Sequence, residues 1–271
     1  MKIILSRKGF DSQYGRQASP ILPDGTLLSL PIPSEDDLTY GDIFWNGHSY
    51  LDIIRRLKPR TFINENNYCH LDPDLREGSI HRENGWLPAY GQTGSSLSEL
   101  RTHGVGKGDL FLFFGWFRKT EYYHDKLRYV SGAPNLHVIF GYMQIGEIIE
   151  SAERIPMWLK YHPHANLEKY RVAWEKKMNA IFLPMSNLTF APKLPGSGTF
   201  CFKKKLILTK EGYSRSRWEF PEPMRGVTIS HNPKGWKQDY FQSAAIGQEF
   251  VMEGTPAVMN WVENLFDLKK N

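Results

Sequence analysis

The run Leu110-Phe111-Leu112-Phe113-Phe114-Gly115-Trp116-Phe117 limits the fold of this 271-residue chain more than any other stretch. It follows a glycine-punctuated turn, Val105-Gly106-Lys107-Gly108-Asp109, and reads as a buried central strand. The chain as a whole is 14% aromatic, with 8 Trp, 13 Tyr and 16 Phe. That density favours strands and flat ligand faces over a helical bundle.

Further strands are expected at residues 2–6, 27–32, 136–142, 143–149, 180–184, 200–202, 206–209 and 227–230. The turn signal Pro23-Asp24-Gly25 makes the N-terminal region hairpin-like, and Gly141 bends the chain between 136–142 and 143–149. Helices are expected to start at 34–38 and 50–57, the latter capped by Ser49 with Leu51, Ile53, Ile54 and Leu57 on one face. Others cover 95–103, ended by Gly104, a short piece at 156–160, and a terminal helix at 256–268; residues 241–251 are amphipathic. No repeat, low-complexity tract or linker divides the chain. The expected architecture is one α+β domain over residues 1–271, a curved, mainly antiparallel sheet or barrel with peripheral helices; a split near residue 150 is the alternative.

The charge balance is 34 − 29 = +5, with a sequence pI near 9.0, which suits a polyanionic partner without requiring one. The surplus is scattered in short runs such as Lys203-Lys204-Lys205. Two cysteines, Cys69 and Cys201, form no disulfide framework and no thiolate metal site, so a reducing compartment is expected. The apolar run after Met1 is too short for a signal peptide and no stretch reaches membrane-spanning length, so the protein is read as cytoplasmic with no membrane contact.

Polar chemistry concentrates in Cys69-His70-Leu71-Asp72-Pro73-Asp74. Pro73 biases Asp72 towards extended backbone, where residues two apart project the same way. An imidazole and a carboxylate would then point together, as in non-haem iron sites completed by a distant histidine. His162-Pro163-His164 is a second such ribbon and supplies that histidine. The bland reading is a turn-capping loop and an extended connector. If a metal binds, His70, Asp72, His162 and His164 are the expected ligands, with Asp11 at the end of the first strand as a nearby carboxylate. Nitrogen and oxygen donors with open positions favour iron, with manganese or zinc as alternatives.

A second set has anion-binding character: Lys8, Arg16 and Ser214-Arg215-Ser216-Arg217, with Trp218, Phe220 and Trp236 close enough in sequence to stack a base. Gln92, in the turn Gly91-Gln92-Thr93-Gly94, is placed to read an amide or base edge. The nucleophile elbow, zincin helix and paired-cysteine motifs are absent.

On several of these segments together the chain resembles the third of the nucleotide-modification-associated domain families, bacterial and phage proteins linked to DNA base modification. The carrying motifs include Ser6-Arg7-Lys8-Gly9-Phe10-Asp11, His70-Leu71-Asp72-Pro73-Asp74, Gly108 to Phe117, His137-Val138-Ile139-Phe140-Gly141, His162-Pro163-His164, Ser214-Arg215-Ser216-Arg217-Trp218 and Gly247-Gln248-Glu249-Phe250-Val251. The resemblance implies a role near nucleotide or nucleic-acid modification and marks Asp74, His137 and Gln248 beside the residues above. The Gly108 and His137 strands are also locally similar to the small barrels of ASCH and EVE domains (the PUA-like kind), which bind modified bases or RNA.

Two functional expectations follow. The favoured one is a metal-dependent enzyme, with mononuclear non-haem iron, acting on a nucleotide, a modified base or a related small anion, oxidation before hydrolysis. Lys8, Asp11 and Asp74 would be catalytic; Arg16, Gln92, Arg215, Trp218 and Gln248 would bind substrate; His137 or His231 could replace one of the four ligands. The rival is a non-catalytic module that binds modified DNA or RNA bases by stacking and basic contacts. A structural partner in a modification or defence complex is the third option. Protein partners and oligomeric state are left open.

Overall fold

The computed structural model describes residues 1–244 and 247–268. It is α+β: a strongly curled, mostly antiparallel half-barrel with four helices at its periphery. The main path of the sheet runs Glu249–Glu253, Lys2–Arg7, Leu110–Tyr123, Leu136–Ile149, Asn179–Pro184, Tyr90–Thr93. Lys2–Arg7 lies parallel to Leu110–Tyr123; the other neighbours on this path are antiparallel.

The aromatic run is the centre of the sheet, as expected, but its strand continues to Tyr123. Phe111, Phe113, Phe114 and Phe117 are fully buried. Burial of each contributes about 2–3 kcal/mol relative to leaving it in water. Across the curl, Tyr90 meets Phe111 and Phe113 edge-on at 4.8 and 5.1 Å between ring centroids, and Phe182 meets Phe111 edge-on at 5.2 Å and stacks on Tyr90 at 5.6 Å.

The two strands expected at 136–142 and 143–149 are one, Leu136–Ile149. A bulge between Ile139 and Gly141 takes up the expected bend without ending the strand. Its first part pairs with Leu110–Tyr123 and its last part with Asn179–Pro184, so this bent strand carries the curl from one side of the half-barrel to the other.

Four helices are α1 (Tyr50–Leu57), α2 (Gly94–Thr102), α3 (Leu167–Glu175) and α4 (Pro256–Leu265). Ser49 caps α1 as expected, its hydroxyl accepting from the Asp52 amide. Gly104 follows α2 at φ +61°, the left-handed geometry its sequence position implied. Among the described residues no helix is long and apolar enough to cross a membrane.

Several expectations are corrected. Residues 34–38 do not start a helix; they belong to the strand Ile32–Thr39, which pairs with Tyr68–His70. Pairing holds its two ends, Ile32 and Pro33 with His70 and Cys69, Leu38 and Thr39 with Cys69 and Tyr68, and the residues between bulge out of register. Of 27–32 only Leu27 bridges and Ile32 opens the next strand; 200–202 and 206–209 carry only bridges, at Cys201, Ile207 and Thr209, with Leu206 ending a 3-10 turn; and 227–230 forms no strand. The amphipathic stretch at 241–251 holds two strands, Phe241–Gln242 and Glu249–Glu253; Ala245 and Ile246 lie outside the described residues, as do 269–271 of the expected domain. The terminal helix stops at Leu265.

The His162-Pro163-His164 segment is not an extended ribbon. His162 is extended, at φ −74° and ψ 131°, but Pro163–Ala165 form a 3-10 turn leading into α3. The fixed φ of proline suits the first position of such a turn as well as it suits extension. The two imidazoles therefore leave the chain in different directions.

Candidate functional site

A cavity of about 1150 Å³ opens beside the half-barrel. Its walls include Lys8, Asp11, His70, Asp72, Gln92 and His137. His164, Arg215 and Gln248 line it too. Segments separated by more than 100 residues thus converge on one space.

On one wall His70, Asp72 and His164 each offer a donor atom, all within 4.8 Å of one another. Tyr68–His70 ends in the small sheet, and Ile32–Thr39 beside it carries Asp36, whose Oδ2 lies 2.8 Å from His70 Nδ1. A carboxylate accepts here, so Nδ1 carries the proton and Nε2 keeps a lone pair for the cavity. That Nε2 lies 4.0 Å from Asp72 Oδ2. His164 is held in the same sense: its Nδ1 lies 2.6 Å from Asn179 Oδ1, while Asn179 Nδ2 donates to the His164 carbonyl at 3.0 Å. Tyr170 of α3 stacks on the His164 ring at 4.9 Å.

Gly91 makes the approach of the strands close enough. Its amide donates to Asp72 Oδ1 at 2.7 Å, and a Cβ placed on it would lie 2.2 Å from the His164 ring. Any side chain at 91 would displace that imidazole.

Burial by itself would raise Asp72, but the His162 imidazole, the Lys8 ammonium and the His164 imidazole outweigh it and hold the carboxyl at about 2. His164 is pushed down to about 3, first by burial, with Asp72 opposing. Asp36 is also lowered: the His70 hydrogen bond and Lys169 more than offset its burial. At neutral pH the wall therefore presents a carboxylate and a neutral His164 imidazole, the states in which these groups bind a cation.

His162 is not in this group of three. It sits behind Asp72, its Nδ1 accepting from the His164 amide at 3.3 Å and its Nε2 3.3 Å from Asp72 Oδ1. The latter contact has charge complementarity but misses hydrogen-bond alignment, leaving Nε2 a buried atom without a well-formed partner. Asp74 faces away from the cavity, its two oxygens taking Arg82 at 2.5 and 2.6 Å; burial pushes its carboxyl up against the pull of Arg82.

Between the walls lies a buried network that sequence reading missed. Glu249, fully buried, accepts at Oε1 from Ser6 (2.9 Å), Tyr90 (2.7 Å) and Gln92 (2.8 Å), with Lys8 Nζ at 3.5 Å. Lys8 also lies 4.5 Å over the Tyr90 ring. Both ends of the Gln92 amide are engaged inside the protein, Nε2 with Tyr90, Gln248 and Glu249, and Oε1 with the Thr93 amide. Burial and Glu249 push the Tyr90 phenol well above its usual range. The motif around Glu249 was visible in the sequence, but no spacing rule connects it to Ser6 and Tyr90.

The opposite wall is cationic. Arg215 lies 4.2 Å over the Trp116 ring and donates to Ser12, and Arg7 donates to the Ala244 carbonyl at 2.7 Å. Asp11 stands near both guanidiniums, with its Oδ1 committed to the Gln13 and Tyr14 amides. The remaining expected residues stand apart. Arg16 is exposed, over the Phe62 ring at 5.5 Å; Trp218 is wholly buried in the core; His231 lies 4.0 Å from Glu99.

A curled sheet therefore carries one cavity lined both by three potential metal donors, His70, Asp72 and His164, and by Arg7 and Arg215. The sequence profile of Nucleotide modification associated domain 3 matches residues 2–253, and the chain belongs to that family. No curated protein and no solved structure matches the chain.

Proposed function

We propose that the protein is a metal-dependent enzyme acting on a nucleotide, a modified base or a related small anion, with His70, Asp72 and His164 as ligands of a mononuclear centre. The observation that carries this reading is the convergence of three donors whose rear atoms are already engaged, by Asp36, the Gly91 amide and Asn179. Metal-ligating histidines are typically held this way. His162 supports Asp72 from behind, which differs from the four-ligand set read from sequence.

Two imidazoles and one carboxylate with open positions favour iron, and manganese or zinc fit the same donors. Such an ion supplies activation of water or dioxygen, or polarisation of a substrate oxygen. Oxidation is the favoured reaction class and metal-assisted hydrolysis the second. Lys8, drawn to Glu249 and buried beside Asp72, places a positive charge next to the centre; Arg215 and Gln248 face the same space. The single domain expected over residues 1–271 is kept as part of this reading.

The test is metal analysis of protein purified without chelator, for the wild type and for His70→Ala and His164→Ala. Retention of the ion in both variants would end the ligand assignment. A second reading, a module that binds modified bases without turnover, is favoured by the Arg215–Trp116 stack. It expects affinity for nucleic acid that falls steeply with salt and is indifferent to the metal.

A further inference from the structure

The structure gives His137 a definite protonation pattern. Trp218 Nε1 lies 3.0 Å from His137 Nδ1. An indole N–H only donates, so His137 Nδ1 accepts and the ring proton sits on Nε2. The side chain is 6% exposed and lines the cavity, and Nε2 has no protein partner among the described residues. Trp218, too deep to touch a ligand, thereby fixes what His137 presents: one N–H, turned to the cavity.

A second group on this wall is in the same condition. Ser243 is 3% exposed, lines the cavity, and its Oγ is buried with no hydrogen-bond partner among the described residues. Main-chain contacts tie it to the two cations. Its amide donates to the Ser216 carbonyl at 2.8 Å, one residue from Arg215, and the next residue, Ala244, accepts from Arg7. Burial, and after it the charges of Arg7 and Arg215, hold His137 neutral, so its N–H persists beside them without a third positive charge.

We propose that Arg7, His137, Arg215 and Ser243 form a phosphate subsite facing the donor triad across the cavity. Two guanidiniums and two neutral donors, set on separate strands and loops, match the several oxygens of a tetrahedral anion better than the two of a carboxylate. Asp11 offsets part of the positive charge, which keeps the subsite from requiring a highly charged ligand. The inference deepens the function proposed above and rests on it for the choice of phosphate: the ligand is a phosphate-bearing nucleotide held by its phosphate at this wall, with the rest of the molecule directed towards His70, Asp72 and His164. The cavity, at about 1150 Å³, exceeds the roughly 300–1,000 Å³ usual for a small-ligand site. Free nucleotides and a strand carrying its phosphates are therefore both admissible sources of the same group.

The experiment is titration calorimetry on the full chain, with inorganic phosphate, the four 2′-deoxynucleoside 5′-monophosphates, the matching nucleosides, and a mixed-sequence single-stranded oligodeoxynucleotide. Expected is binding of phosphate-bearing probes in preference to nucleosides. Arg215→Ala should weaken it about tenfold or more, and Ser243→Ala by a smaller factor of about three. His137→Phe should act like Arg215→Ala; should that variant fail to fold, the other two still decide. An oligonucleotide bound much more tightly than the monophosphates identifies a strand as the source, and the reverse order a free nucleotide. The proposal is overturned if no phosphate-bearing probe binds the wild type at about 10 mM, weaker than which no specific site is worth the name. Unchanged phosphate affinity in Arg215→Ala and Ser243→Ala overturns it equally. Metal content is measured in parallel: its absence from the wild type counts against the metal centre alone, whereas metal-loaded variants with wild-type phosphate affinity count against the subsite alone.

Discussion

On the wall that carries His70, Asp72 and His164, every donor is fastened from behind, whereas the wall that carries Arg7, His137 and Arg215 is fastened only in part. Asp36, the Gly91 amide and Asn179 take the rear atoms of the first set. On the second, Trp218 fixes His137 while Ser243 Oγ is left without a partner and Arg215 rests on an aromatic face and an exposed loop serine. An ion demands fixed donors at fixed distances; a polyatomic anion tolerates adjustment of long side chains. The contrast matches what the proposed ion and the proposed phosphate would each require of their wall.

The comparison breaks most decisively at the triad itself. His164→Ala and His70→Ala are each expected to reduce bound metal from about one ion per chain to a trace, read by elemental analysis, because two remaining protein donors hold a divalent ion poorly. Asp36→Asn keeps the ligands and disturbs what holds His70, together with the Lys169 ion pair on the same carboxylate. Metal affinity in a competition titration should fall about 10–100-fold, and no change would mean the rear contact is idle. His162→Ala should cost less, under about tenfold, since that ring supports Asp72 from behind. If it strips the ion as thoroughly as His70→Ala, His162 is a ligand and the fastened wall has four donors.

The smallest effect sharpens the other wall. His137 has a folded-state pKa well below its unfolded value, because of burial and then Arg7 and Arg215. Below about pH 6.5 the unfolded chain binds a proton there that the folded chain does not, so stability present at neutral pH is lost as the pH falls. The slope from this group is about 1.4 kcal/mol per pH unit until its folded pKa is reached. His137→Gln should flatten the acid limb of a denaturation-versus-pH curve by that one proton; an unchanged slope would show the imidazole is not held neutral.

Much of the scaffold was legible because its signals are local. The aromatic run, the Ser49 cap and the glycine after α2 each act within a few residues, and each appears where expected. The site was legible in composition and only partly in geometry. His70 and Asp72 come together through a tight turn, the Asp72 amide donating to the His70 carbonyl at 2.8 Å, and not through the extended chain the spacing suggested; in His162-Pro163-His164 the proline opens a 3-10 turn instead of continuing an extended ribbon. Proline fixes φ and leaves ψ to the surroundings, so either conformation was open to that sequence. Residues 34–38 became a strand through pairing with Tyr68–His70, a contact no window of sequence reports. The Glu249 network draws on residues as much as 243 positions apart, and Trp218 sets the His137 tautomer from 81 positions away, beyond any periodicity.

One carbon atom that the chain does not have decides whether the centre can exist. Because the strand bearing Gly91 passes so near the His164 ring, even alanine at that point would evict the imidazole while the surrounding sheet stayed closed. In the proposed centre Gly91 is therefore as necessary as the three donors, because a side chain at that point leaves the His164 ring no room.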